Sequence, residues 1–319
     1  MADEIDLLAL FQALADESRL RICFLLTEME LTVGEIAQAL GQSQPRVSRH
    51  LRILDEAGIV TRRKEGAWTF VTLDLPEGSP VRALMAAAGG ATARAVAADA
   101  RRLEAIRIER AETASRWFNA RSEQWELLRA LHAPEEEVEA AIVAALAGRP
   151  LGRLVDVGTG TGRMLELFAP GASEAVGIDR SPDMLRIARV RLEAAGEAVR
   201  ASLRQGDMFA LPLPDGHADT VILHQVLHFA HQPRAAIDEA ARILGPGGRL
   251  VLVDFEAHGR EELRRDHGHQ RLGFADEAIE QLIKLAGLAP RPPAKVAGGE
   301  LTVAVWTADR PGKAKRRAA

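Results

Sequence analysis

At 319 residues the chain is long enough for about two domains that each bury a core of their own. Its 47% hydrophobic and 27% charged content is that of a soluble globular protein, and a net charge of −4 excludes wholesale coating of nucleic acid while leaving room for a local basic face that binds DNA. The start MADEIDLLAL is acidic where a signal peptide is basic, and no apolar run approaches the roughly 20 residues of a bilayer span, so a cytoplasmic protein with no membrane partner is expected.

Residues 1–78 read as short helices closed by a two-stranded hairpin, VTRRKEG then AWTFVTLDL, with its turn at Glu65-Gly66. The lone cysteine, Cys23, lies among Ile22, Phe24, Leu25 and Leu26 and reads as a small buried hydrophobe. The stretch LTVGEIAQALGQSQPRVSRHLRILDEAGIV holds two short helices about a turn at Gly41. Ser43 is placed to cap the second, and Pro45 in its first turn lacks only an amide hydrogen that would be unpaired anyway. Val47, Leu51 and Leu54 then form a buried stripe. Gln44, Arg46, Ser48, Arg49 and His50 remain for DNA, joined by Arg62, Arg63 and Lys64 of the hairpin, side chains of the kinds that meet base edges and phosphates.

ALADESRLRI and SQPRVSRHLRILDEAGIV resemble the second helix and the recognition helix of the winged-helix domain of ArsR/SmtB-type bacterial repressors. The resemblance covers about residues 5–75 and implies a homodimer on a near-palindromic operator in double-stranded DNA. Founding members hold a soft metal through two cysteines in a stretch reading Glu-Leu-Cys-Val-Cys-Asp-Leu. Thr32 and Gly34 stand in the cysteine places of Glu30-Leu31-Thr32-Val33-Gly34-Glu35-Ile36, so no metal is expected.

Residues 79–147 are rich in Ala, Arg and Glu with breakers at Gly89-Gly90 and Pro134, a helical linker that connects and dimerises. Whether Leu103, Ile106 and Ile108 form a dimer seam or pack on the first domain stays open at this point. In residues 148–308 the runs RLVDV, EAVGID, ADTVILH, GRLVLVDF and LTVAVW alternate with helical stretches, as in a parallel α/β sheet. Residues 309–319 read as a basic, disordered tail.

The first of those runs opens RLVDVGTGTGRML. A dinucleotide loop needs a third glycine where Arg163 stands, and Asp156 repels a phosphate but suits an ammonium group. A ligand with a cationic amino-acid end and a nucleoside fits better. Asp179, with Arg180 beside it, ends the next strand where a carboxylate can accept both ribose hydroxyls; Asp207 is placed to accept from an adenine amine while Met208 packs on the ring. These residues resemble class I S-adenosylmethionine-dependent methyltransferases, above all the quinone-biosynthesis branch, over about residues 115–255. The resemblance implies S-adenosylmethionine or S-adenosylhomocysteine held by Asp156, Gly158, Thr159, Gly160, Gly162, Asp179, Arg180, Asp207 and Met208. It also makes RWFNARSEQWELLRALH a cofactor-covering helix, with Trp125 and Arg129 as cover residues.

The chain has no tyrosine, which removes one common phenolic base. His224 follows a strand, with His228 one helical turn later, and on the methyltransferase template His224 faces the sulfonium, as pocket lining or as the candidate catalytic group. A further cluster, Asp266-His267-Gly268-His269, falls where the acceptor pocket is shaped and lacks the ligands of a metal site. The expected architecture is multidomain: an N-terminal winged helix-turn-helix (α+β), a helical linker and a C-terminal α/β Rossmann-like methyltransferase fold. This order resembles fusions that respond to S-adenosylhomocysteine and control methionine-cycle genes. The alternative is a working methyltransferase acting on a small molecule; arsenite is disfavoured as acceptor because Cys23 is alone.

Overall fold

The computed structural model describes residues 7–65, 67–75, 79, 82, 85, 93–119, 133–196 and 199–312, with backbone alone at 7, 93–96 and 114–119. It divides into two compact units, residues 1–113 and 114–319. The expected linker therefore belongs partly to each.

The first unit runs α1 (Leu7–Leu14), α2 (Glu17–Glu28), β1 (Leu31–Thr32), α3 (Val33–Leu40), α4 (Gln44–Glu56), β2 (Val60–Glu65), β3 (Trp68–Leu73) and the larger part of α5 (Ala93–Asn119). Its boundaries follow from local chemistry. Asp16 accepts from the Arg19 N–H to start α2. Thr32 and Glu35 form a reciprocal capping box on α3, and Gly41, at φ 64°, ends that helix in the left-handed region that a side chain disfavours. Ser43 does occupy the position before α4, but its hydroxyl makes no capping bond there, so Pro45 is the stronger start signal. The three strands pair antiparallel in the order β1-β3-β2. The turn expected at Glu65-Gly66 lies outside the described residues at Gly66.

Ile22, Leu31, Ile36, Val47, Leu51 and Leu54 have no exposed surface, and each contributes about 1.5–3 kcal/mol on burial. Cys23 is buried among them, which pushes its thiol up to about 12. Leu103 and Ile106 join this core while Ile108 is exposed, so the first two pack on the first unit.

The second unit holds α6 (Glu135–Leu146), β4 (Arg153–Val157), α7 (Arg163–Phe168), β5 (Glu174–Asp179), α8 (Pro182–Ala194), β6 (Ser202–Gln205), β7 (Ala218–His224), α9 (Pro233–Ile243), β8 (Leu244–Phe255), α10 (Glu261–His267), α11 (Asp276–Leu285), β9 (Ala289–Pro290), β10 (Ala294–Val296) and β11 (Val303–Asp309). The sheet order is β10-β11-β8-β7-β4-β5-β6, with β9 also paired to β11. β4 to β8 are parallel, and the chain leaves β4 in one direction and returns to its other side as β7. The switch point at the carboxyl ends of β4 and β7 is where open sheets of this kind bind ligands. Val155, Val176, Val221 and Leu250 and their neighbours are buried on both faces, which is why these strands read as continuous apolar runs.

The sheet is mixed rather than wholly parallel. LTVAVW becomes β11, antiparallel to β8, because the stretch before it already forms β9 and β10 and the chain reverses over residues 297–302 before β11 inserts between β10 and β8. Prolines in that stretch suit an edge strand. Asp309, expected to begin the tail, is instead the last residue of β11, paired with Arg249; residues 310–312 continue from it, and the rest of the basic tail lies outside the described residues.

Candidate functional site

In the first unit α4 presents Gln44, Arg46, Ser48, Arg49 and Arg52 to solvent. Among the described residues no carboxylate pairs with Arg46 or Arg49, so two cations stand open for phosphates or base edges. Arg52 escaped the sequence reading, although it lies one turn beyond Arg49 on the same face. His50 does not belong to this surface. It follows Val47 by three residues, so it joins the buried stripe, with Nδ1 3.7 Å from Asp16 Oδ1 and its pKa lowered by burial. The hairpin divides its cations in the same way. Arg62 and Lys64 are exposed, Arg62 lying 3.4 Å from Asp55, whereas Arg63 faces inward on the alternating strand and is held 2.5 Å from Glu30 and 3.0 Å from Glu65.

In the second unit the glycine turn leaves the end of β4 with φ of 73°, 52° and 82° at Gly158, Gly160 and Gly162. Gly158 could carry no side chain: a Cβ there would stand 2.3 Å from Val226 Cγ2. The turn is tied to β5 by the Gly158 N–H, which donates to the Ile178 carbonyl at 2.7 Å. Asp156 is buried beneath it. One carboxylate oxygen accepts from the Thr159 hydroxyl at 2.6 Å, and the other, Oδ1, has no partner. Burial, then the charge of Asp179, pushes its pKa up to about 7. Asp179 ends β5 and accepts from the Gly160 N–H and the Ser181 N–H, each at 2.8 Å, with its pKa raised by burial. Arg180 beside it is exposed.

Asp207 follows β6, exposed, and accepts from the Phe209 N–H at 3.0 Å, while Met208 packs against the core. The carboxyl ends of three adjacent strands thus gather Asp156, Thr159, Asp179, Asp207 and Met208 along one edge. Arg163, where a dinucleotide loop has its third glycine, is committed to bidentate bonds of 2.6 and 2.9 Å with Glu139 of α6. Trp125 and Arg129 lie outside the described residues.

His224 stands half-buried at the end of β7, and Gln225 follows at φ 51°, alone among the described non-glycine residues with a positive φ. His228 lies in a 3-10 turn (Leu227–Phe229) rather than an α-helical one, and it is buried with Nδ1 2.8 Å from Asp254 Oδ1. Asp254 was missed in the sequence, where it closes the run GRLVLVDF and signals only a strand end. Among the described residues no group of three or more His, Cys, Asp or Glu side chains is placed to hold a metal, and no helix is long and apolar enough to cross a membrane.

Comparison with known proteins agrees with this division. Residues 16–62 match the family model for bacterial regulatory proteins of the arsR family, and residues 155–252 match that for a methyltransferase domain. Over 65 residues the chain is 51% identical to the arsenical resistance operon repressor of Escherichia coli, a match covering 20% of this chain and 56% of the repressor. Over 107 residues it is 47% identical to a demethylmenaquinone methyltransferase of Thermus thermophilus, covering 32% and 47%. It thus spans about half the length of these relatives. The solved structure of an S-adenosylmethionine-dependent methyltransferase from Mesorhizobium loti is 20% identical, covers 52% of this chain and 96% of that one, and has a TM-score of 0.46. The chain therefore joins an ArsR-type helix-turn-helix domain to a methyltransferase domain with a Rossmann-like fold.

Proposed function

We propose that the protein is a transcriptional repressor that binds operator DNA as a homodimer and takes S-adenosylmethionine or S-adenosylhomocysteine as its effector in the second domain, with methionine-cycle genes as its targets. The observation that carries this reading is Asp156. A fully buried carboxylate with one oxygen unpartnered suits the cationic amino group of such a ligand, and Asp179 and Asp207 on the neighbouring strands suit its ribose and adenine. A ligand that binds the DNA-competent and free forms with different affinity must shift operator affinity by the same factor. Calorimetry with each ligand, followed by gel-shift titration of operator DNA with and without it, tests this. Unchanged DNA affinity at saturating ligand would sink the effector role. A second reading, methyl transfer to a small molecule, is favoured by the polar groups at the ends of β7 and β8.

A further inference from the structure

The ends of β4, β5 and β6 carry the residues assigned above to the nucleoside ligand; the ends of β7 and β8, on the same edge of the sheet, carry a second polar set. Asp254, with no exposed surface, accepts from the His228 backbone N–H at 3.0 Å and from the Phe255 N–H at 2.8 Å, and lies 2.8 Å from His228 Nδ1. A carboxylate on that side places the ring proton on Nδ1 and leaves Nε2 with a lone pair. The ring is held by its neighbours. His269 stacks on it at 4.1 Å between centroids and 28° between planes, Phe229 lies at 4.1 Å and Phe255 at 5.2 Å. The segment after α10 is fastened over it by the Gln270 and Arg271 N–H groups, which donate to the His228 carbonyl at 2.9 and 3.1 Å.

Two ring nitrogens of this cluster, His269 Nδ1 and His258 Nε2, are buried without a partner, and His269 is only 3% exposed. Burial, and next the neighbouring His228, drives the His269 pKa down to about 3, and burial lowers that of His258, so both rings are neutral at physiological pH. Buried polar atoms left unpaired are costly in a purely structural cluster. Neutral imidazoles between phenylalanine rings suit an uncharged aromatic ligand bearing a hydroxyl, and Phe229, 47% exposed, is the member of the stack that reaches the surface.

We propose that this cluster is a second small-molecule site, that it takes a phenolic compound, and that His228 Nε2 accepts the phenol proton in a methyl transfer. This goes beyond gene regulation but rests on the reading that the neighbouring strands hold S-adenosylmethionine. That ligand supplies an electrophilic methyl group and leaves as a neutral thioether. The phenol O–H bond breaks toward His228 Nε2, its oxygen gains the methyl group, the C–S electron pair stays on sulfur, and the proton passes from His228 to solvent. A phenol fits an imidazole base because its proton is far more acidic than that of an aliphatic alcohol. Asp254 is a positioning residue that fixes the tautomer.

Catechol is the probe, used on the full chain. Titration of the unliganded protein is expected to shift the His228 side-chain nitrogen signals in long-range ¹H–¹⁵N spectra, with the resonance assigned by its loss in His228→Gln. With S-adenosylmethionine, catechol is expected to yield S-adenosylhomocysteine at a kcat reduced about 100-fold or more in His228→Gln. Asp254→Asn, which favours the other tautomer, is expected to lower kcat while the KM for catechol stays within about threefold. Unmoved His228 signals at millimolar catechol, or equal turnover in His228→Gln, overturn the proposal. Absence of S-adenosylhomocysteine binding with catechol shifts intact sinks the effector reading instead.

Discussion

Asp156 makes the effector reading quantitative. Its carboxyl titrates at about 7 rather than at the ordinary 3.8 because it is buried beneath the glycine turn and faces the charge of Asp179. If its free oxygen receives the ligand's amino group, the ionised form is the binding form. Near pH 6 about one carboxyl in ten is ionised, so the Kd for S-adenosylhomocysteine is expected to be about tenfold weaker at pH 6 than at pH 8, levelling off above that. Binding at pH 6 must also release close to one proton, and binding at pH 8 about a tenth of one. Calorimetry in two buffers of different ionisation enthalpy reads both quantities. Asp156→Asn removes the titration, flattens the profile and holds the affinity near its acid limit. An affinity constant from pH 6 to 8, with no proton release, would refute the placement of a cation on Asp156. The linkage to stability has a definite sign: the folded pKa lies above the unfolded one, so the contribution is fully present below pH 3.8 and is lost as pH rises through about 7. Keeping this group in the fold above pH 7 costs on the order of 4 kcal/mol, so the unliganded protein should lose thermal stability as pH rises from about 4 to about 7 and no more from this group beyond that, and Asp156→Asn should lose less.

Other outcomes follow from the same geometry. Arg49→Ala is expected to weaken DNA binding by about 1–3 kcal/mol with a shallower salt dependence in gel shifts, whereas His50→Ala should cost folding stability and leave the salt slope unchanged. Arg110→Met strips Glu35 of bidentate bonds of 2.7 and 2.8 Å and should destabilise the first domain by roughly 3 kcal/mol in urea. Because Arg110 helps hold the Glu35 pKa below its ordinary value, against the opposing effect of burial, that loss should be largest above about pH 4.5 and fade in acid. Gly158→Ala forces a side chain into left-handed backbone and against Val226, and should cost about 3 kcal/mol in thermal unfolding; Val226→Gly in the same chain removes the clashing atoms and should relieve the steric part of that loss.

The limits of the sequence were geometric. Periodicity was enough for the stripe of Val47, Leu51 and Leu54 on α4, because helical spacing repeats within a few residues; the same spacing carried His50 inward, although its residue type suited DNA. Alternation on β2 likewise turns Arg63 toward Glu30 and leaves Arg62 and Lys64 outside. The direction of β11 was hidden, since an apolar run fixes that a strand exists and not which way it runs; the hairpin through residues 297–302 decides that. The carboxylates Asp156, Asp179 and Asp207 were legible because each closes or follows its own strand in a fixed order along one sheet edge. Asp254 was not, because its partner His228 lies 26 residues upstream, on the far side of a crossover helix.

Arg110 joins these observations to the lost cysteines. Where the resemblance to ArsR-type repressors sets two thiolates at the start of α3, this chain sets Thr32, which caps the helix, and Gly34. The neighbouring Glu35 completes the capping box and is then gripped by Arg110 of α5, which also donates to the Glu30 carbonyl at 3.1 Å. At the other end of α3, Arg102 of α5 donates to the Ala39 carbonyl at 3.1 Å, and Arg21 bonds Asp99 of α5 at 2.7 and 2.6 Å. α3 is therefore fastened to α5 at both ends by the chain's own charged groups. α3 leads through the left-handed turn at Gly41 into α4 and its open arginines, so the same charged groups anchor the helix that precedes the DNA-facing one.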